Sequence, residues 1–133
     1  MRKRVGLMVR FHSKNITGVE VIAFVRLLLR HLHGAVVLLW DGAPIHRRTI
    51  VRDYLHTCKR LHVYRFPGYA PELNPAELVW SQAKRSLSNG APKDIASLRA
   101  RVRCAIGRVK TSRQRLRSCI EATDLAWNWR CIH

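Results

Sequence analysis

Six apolar residues in unbroken succession, AVVLLW at 35–40, constrain the fold more than any other stretch of the chain. A half-buried strand alternates and this run does not, so it reads as a strand covered on both faces, the pattern of a parallel sheet. Asp41 ends the run, and Gly42, Ala43 and Pro44 supply a turn. Ile50, Val51, Tyr54, Leu55 and Cys58 then recur at helical spacing, and LHVYRF at 61–66, rich in β-branched and aromatic residues, predicts a second strand. Strand, helix, strand implies a parallel pair joined by a right-handed crossover. Asp41 is thereby placed at the carboxyl edge of the sheet, where α/β proteins carry ligand sites.

The elements around this unit follow from local signals. VGLMVRF at 5–11 is weakly patterned as a short strand. A helix then opens at Thr17, with Glu20 three residues on as in a capping box, Ile16 placed to staple onto Val21, and Gly34 as its stop. After the second strand the prolines forbid regular structure until Asn74, which caps a third helix begun by Pro75, with Glu77 at its third position and its end near Ser88, before Asn89 and Gly90. Ala76, Trp80, Ala83 and Leu87 fall on one stripe, which predicts Trp80 as a core anchor whose removal is costly; Glu77, Ser81 and Lys84 share another stripe. Ile95, Leu98, Val102, Ala105, Ile106 and Val109 keep a helical period in a fourth helix, and 112–122 forms a last one before a tail with Trp127 and Trp129.

The apolar content of 47% supports a packed core in one domain of 133 residues and excludes a disordered basic tail. Lys and Arg number 25 against 8 acids, a formal charge of +17, which points to a polyanionic partner, nucleic acid before membrane. Cys58, Cys104, Cys119 and Cys131 form no C-x-x-C pair and read as reduced thiols. Nothing reads as a signal peptide or a membrane span, so the expected location is the cytoplasm. G-x-S-x-G, Walker A and G-x-G-x-x-G strings are all missing, which removes serine hydrolases, P-loop NTPases and Rossmann enzymes from consideration.

In so basic a chain, Asp41 and Glu77 carry the chemical interest. Each has an ordinary structural reading: an Asp after a strand forms turns, and a Glu at the third helical position completes a capping box. Parallel topology, however, brings a strand end and the start of the helix after the next strand to one edge of the sheet. Two carboxylates there repel unless a hard cation such as Mg²⁺ or Mn²⁺ shares them, which is the arrangement used for phosphoryl transfer. His31 and His33 face different ways on a helix and make a poor metal pair; Asp53, Asp94, Glu121 and Asp124 read as solvated or helix-end acids.

LLWDGAPIHR and FPGYAPELNPAELVWSQAKR resemble the second and third acidic motifs of the bacterial insertion-sequence branch of the mariner-like DDE transposases. The resemblance runs from about Phe11 to Trp127. It implies an α/β, RNase H-like fold with a mixed sheet flanked by helices, here partial and without its first two strands, over 1–133, and with a helical carboxyl-terminal part from about 93. It implies Asp41 and Glu77 as catalytic metal ligands for Mg²⁺ or Mn²⁺. His46 matches the motif histidine beside the cleft, Lys84 and Arg85 match a basic pair that contacts DNA phosphate, and Pro67, Tyr69, Pro71, Asn74 and Pro75 form a rigid loop aiming the Glu77 helix. Glu72 is secondary.

The family's first catalytic Asp belongs on a strand upstream of 5–11, and no acid precedes Glu20, which already caps. Stand-alone DNA strand cleavage and transfer is therefore not expected of this chain. Two accounts stay open, a truncated frame or one half joined to an upstream transposase half, with a homodimer as a further partner and transposon ends and target DNA as substrates. The expected third strand at 5–11 would leave an edge open to another chain. The competing function is a non-catalytic basic nucleic-acid-binding protein in which Asp41 shapes a turn and Glu77 caps a helix.

Overall fold

The computed structural model describes residues 4–88 and 90–125, which fall into two compact units. The readings of Asn89, Trp127, Trp129 and Cys131 lie outside the described residues.

The unit Met8–Ala70 is built on a βαβ motif preceded by a helix. Helix α1 (Gly18–His31) starts at the predicted capping box: Thr17 Oγ1 accepts from Val19 N at 3.3 Å, and Thr17 N donates to Glu20 Oε2 at 2.6 Å. Strand β1 (Val36–Trp40), a 3₁₀ turn at Pro44–Arg47, helix α2 (Thr49–Thr57) and strand β2 (Leu61–Arg65) follow. The strands pair in parallel, with Val36 opposite Leu61 and Trp40 opposite Arg65. Val25, Val36 and Leu61 are the buried centre, and Leu29, Leu38, Trp40, Tyr54, Leu55, Cys58 and Val63 pack on it.

Two expectations are corrected here. β1 is not covered on both faces: Val36, Leu38 and Trp40 pack into the core, while Val37 and Leu39 are 61% and 37% exposed. The apolar run hid an ordinary two-residue alternation, because both faces were written in apolar residues. Residues 5–11 form no strand. Strands persist through ladder hydrogen bonds, and among the described residues this weakly patterned stretch, broken by Gly6 and Arg10, has no ladder partner.

The end of α1 also differs from the glycine stop read in the sequence. The helix finishes at His31, three residues before Gly34, whose φ of +75° serves the turn into β1. Its terminal carbonyls are taken by a side chain distant in sequence. Arg60 Nη1 donates to Leu32 O at 2.8 Å and Gly34 O at 3.0 Å, and Nη2 donates to Leu29 O.

The second unit holds three helices, α3 (Pro75–Leu87), α4 (Ile95–Thr111) and α5 (Arg113–Glu121). Val79 and Ala83 of α3, Ala105, Ile106 and Val109 of α4, and Leu116 and Cys119 of α5 are its buried apolar side chains among the described residues. The predicted α4 stripe is therefore right in its second half only, since Ile95 and Leu98 are 76% and 43% exposed. Arg101 closes α3 as Arg60 closes α1, donating to Leu87 O at 3.1 Å and Gly90 O at 2.7 Å. Gln82 Nε2 lies 3.2 Å from Cys119 Sγ, and burial pushes that thiol's pKa up. Cys58, Cys104 and Cys119 are free thiols.

The two helix-cap carboxylates give an expected pH dependence. The Thr17 hydroxyl and backbone N–H hold Glu20 below its ordinary value, and the Ser97 backbone N–H, 2.6 Å from Asp94 Oδ1, does the same for Asp94. Both folded values lie below the unfolded ones, so both contributions are complete at neutral pH and fade as pH falls below about 4. Thermal unfolding followed by circular dichroism should show a midpoint that drops on that acid side. Asp94→Asn keeps the cap acceptor without the titration, so its midpoint should drop less.

Candidate active site

Asp41 directly follows the last residue of β1, and its environment is written by the next five residues. Oδ1 accepts from Ala43 N at 3.1 Å, which makes the turn. His46, in the 3₁₀ turn, places Nδ1 3.0 Å from Asp41 Oδ1 and 3.2 Å from Asp41 O. With its proton on Nδ1, the ring donates to both. The same ring stacks on Trp40, with centroids 4.2 Å apart and planes 3° from parallel. The Trp40 Nε1–H is buried without a hydrogen bond, so packing and stacking, not a polar tether, hold the indole. The turn reading of Asp41 is thus fulfilled by one oxygen. The carboxylate is still 55% exposed, and Oδ2 has no partner among the described residues.

Glu77 behaves differently. Asn74 caps α3 by accepting from Ala76 N at 3.1 Å, Pro75 takes the first helical position, and Glu77 N donates to Asn74 O at 3.1 Å. A capping box would have the Glu77 carboxylate accept from Asn74 N. That N–H instead donates to Pro71 O at 3.0 Å, inside the 3₁₀ turn Pro71–Leu73. Glu77 is exposed, and no hydrogen bond or ion pair engages its carboxylate among the described residues. Upstream in the same loop Tyr69 adopts φ 58°, a left-handed conformation uncommon for a bulky side chain, with its ring fully exposed. Pro67 lies before it and Pro71 after it, both exposed.

Asp41 belongs to the Met8–Ala70 unit and Glu77 to the helical one. Asp41, His46 and Trp40 are brought together in the first; Asn74, Pro75 and Glu77 stand at the start of α3 in the second. Lys84 and Arg85 are exposed in its last turn, and Glu72 is exposed in the 3₁₀ turn before it. Asp41 Oδ2 in the first unit and the Glu77 carboxylate in the second are each left unengaged, and carboxylate oxygen is the donor type that a hard divalent cation takes. Among the described residues no group of three or more His, Cys, Asp or Glu is placed to hold a metal.

The family described as DDE superfamily endonuclease matches residues 1–99, and both acids lie inside that match. The chain belongs to this family. No curated protein matches the sequence. Two solved structures share its fold: the catalytic domain of Mos1 mariner transposase, at 17% identity and a TM-score of 0.55, and the Mos1 transposase catalytic domain with raltegravir and Mn, at 16% and 0.54. Each similarity covers 83% of this chain and 63% and 64% of those chains respectively, so this DDE-family chain spans less than two thirds of the length of either. The α/β architecture, a parallel strand pair with helices, is that of the RNase H-like transposase catalytic domain. Among the described residues no helix is long and apolar enough to cross a membrane.

One side chain near the site was misread from its spacing. Trp80 is 43% exposed; of the predicted stripe Ala83 is buried, and Val79, outside that stripe, completes the buried face of α3. Ala76 is likewise exposed. Two stripes that share Ala83 and differ in rotation by about 50° are both compatible with the sequence, and the larger aromatic falls on the one that is not buried. Trp80→Ala should accordingly cost under about 1 kcal/mol in urea denaturation, not the 3–5 kcal/mol typical of a buried aromatic. The stacking of Trp40 on His46 left no signal in spacing, since the two come from a strand end and a turn.

Proposed function

We propose that this chain is the carboxyl-terminal part of the catalytic domain of a bacterial insertion-sequence transposase of the mariner-like branch. It acts in the cytoplasm on transposon ends and target DNA. Asp41 and Glu77 hold Mg²⁺ or Mn²⁺, and Lys84, Arg85 and His46 face the DNA. The observation that carries this reading is the Glu77 carboxylate. It stands at a position where a capping role was available, and the backbone N–H it would have served is taken by Pro71. A bound cation supplies charge stabilisation for phosphoryl transfer. The chain's own part is to present Asp41 Oδ2 from a turn fixed by Ala43 and His46, and to leave Glu77 unpaired at a helix start. An upstream transposase half or a second copy of the chain is its proposed partner in strand cleavage and transfer.

A second reading, a non-catalytic basic nucleic-acid-binding protein, is favoured by the Asp41 turn and by the lack of a third ligand among the described residues. Mn²⁺ binding measured by calorimetry separates the two. Asp41→Asn keeps an oxygen for the Ala43 N–H, and Glu77→Gln keeps the shape of the helix start, so neither should disturb the fold. Each is expected to weaken Mn²⁺ by at least about ten-fold, the scale of losing one charged ligand interaction. Equal affinity in both variants and the wild type leaves the second reading standing.

A further inference from the structure

We infer that the exposed face of α3 is a binding surface for an unpaired DNA strand, with Trp80 as the residue on which a nucleobase stacks. The inference rests on the proposal that DNA is the substrate, and adds to it a contact for unpaired bases. With successive residues about 100° apart around a helix, Trp80, Lys84, Glu77, Ser81 and Arg85 fall in one arc of about 140°. All five are exposed. The opposite arc holds Val79, Ala83 and Gln82, which bind α3 to the rest of its unit. Glu77 lies near the middle of the exposed arc, Trp80 and Lys84 to one side, and Ser81 and Arg85 to the other.

An exposed tryptophan has a large apolar cost, which a partner must relieve or solvent must bear. Trp80 is 43% exposed, and no ring contact engages it among the described residues. Its neighbours exclude an apolar protein partner as the best fit, because Lys84 lies one turn on and Arg85 beside that, in a chain of charge +17. An aromatic face next to lysine and arginine is the composition that holds single strands: bases stack on the ring and phosphates meet the cations. A duplex, with its bases already stacked, offers the ring nothing comparable. The selectivity expected of this face is therefore for frayed or single-stranded DNA, presented within about one helical turn of the Glu77 carboxylate.

The test uses the full chain in EDTA, so that metal ligation by Asp41 and Glu77 plays no part. Anisotropy of a labelled single-stranded oligonucleotide of about 12 nucleotides is compared with that of its duplex. Trp80→Ala should weaken single-strand binding by about ten-fold, and Trp80→Phe, which keeps a stacking ring, by no more than about two-fold. Duplex binding should be unchanged in both. Lys84→Ala should weaken both forms and lower the salt dependence. The inference is overturned if Trp80→Ala binds the single strand as wild type does, if phenylalanine does no better than alanine, or if the duplex loses as much. Failure to bind either form of DNA would overturn the DNA reading itself; binding of both with Trp80 indifferent would overturn only the stacking role. Circular dichroism of each variant excludes unfolding as the source of a loss.

Discussion

Replacing Arg60 with alanine is expected to lower the stability of the chain by about 2–3 kcal/mol, an effect no sequence pattern would assign to a lysine- and arginine-rich surface. The guanidinium donates to the carbonyls of Leu29, Leu32 and Gly34, where α1 ends and its dipole is negative. Arg60 is half-buried, and its own carbonyl accepts from Val36 N at 2.8 Å, at the first pair of the β1–β2 ladder. Removing the side chain leaves three carbonyls at that junction to find water one at a time. Arg60→Lys keeps a charge near the helix end and loses the planar fork, so it should restore less than half of the loss. Urea titrations with an unchanged slope measure both variants. A loss for Arg60→Ala below about 0.5 kcal/mol would mean that solvent replaces the guanidinium freely.

Arg60 also shows where the sequence stops being legible. The start of α1 is fully local: Thr17 and Glu20 exchange their bonds within one turn, and the spacing announces it. The end of α1 is not local, because its acceptors are met by a residue 28 positions beyond Leu32, and the eye is drawn to Gly34 instead. In α3 the start is again local, at Asn74 and Pro75, and Arg101 closes the end, but there the stop read near Ser88 agrees with a helix that finishes at Leu87. In a chain with 25 basic residues, no composition rule singles out the two that cap. The capped starts of α1 and α3 were readable and the end of α1 was not, for the physical reason that N-caps are made by neighbours and this helix end is closed by a tertiary contact.

The local roles of the candidate residues were legible in part. Asp41 and Glu77 stand in strings specific enough to mark them, and the residue-level accounts divide cleanly. Asp41 does serve the turn predicted of it, through Oδ1, so a structural role and a free second oxygen coexist in one side chain. Glu77 does not serve the cap predicted of it, since Asn74 N–H turns to Pro71. Periodicity failed for Trp80 because amphipathic stripes say which faces differ and cannot say which face is inside when both contain apolar residues. β1 failed in the same way: valine and leucine on both faces concealed which one packs.

Gly18→Val is expected to cost about 3 kcal/mol and Gly18→Ala about 1–2 kcal/mol, although alanine is the better helix former. Gly18 is buried at the first position of α1, against the start of α2. A β-carbon there would stand 2.9 Å from Ile50 Cγ2 and 3.2 Å from Val51 Cγ2. Neither methyl is the end of a flexible chain; both are borne on branched β-carbons with few alternative rotamers. Val51 is completely buried and cannot yield, whereas Ile50 is 52% exposed and has solvent to move into. The tighter contact is therefore with the more compliant neighbour, which is why alanine is tolerated at some cost and valine, adding two methyls to the same space, is not. Ile50→Ala removes the nearer methyl and little buried surface. Combined with Gly18→Ala it should recover at least half of the loss, a coupling that a double-mutant cycle in urea reads directly. Full additivity would show that the clash lies with Val51 alone, and then Val51→Ala in place of Ile50→Ala should carry the coupling.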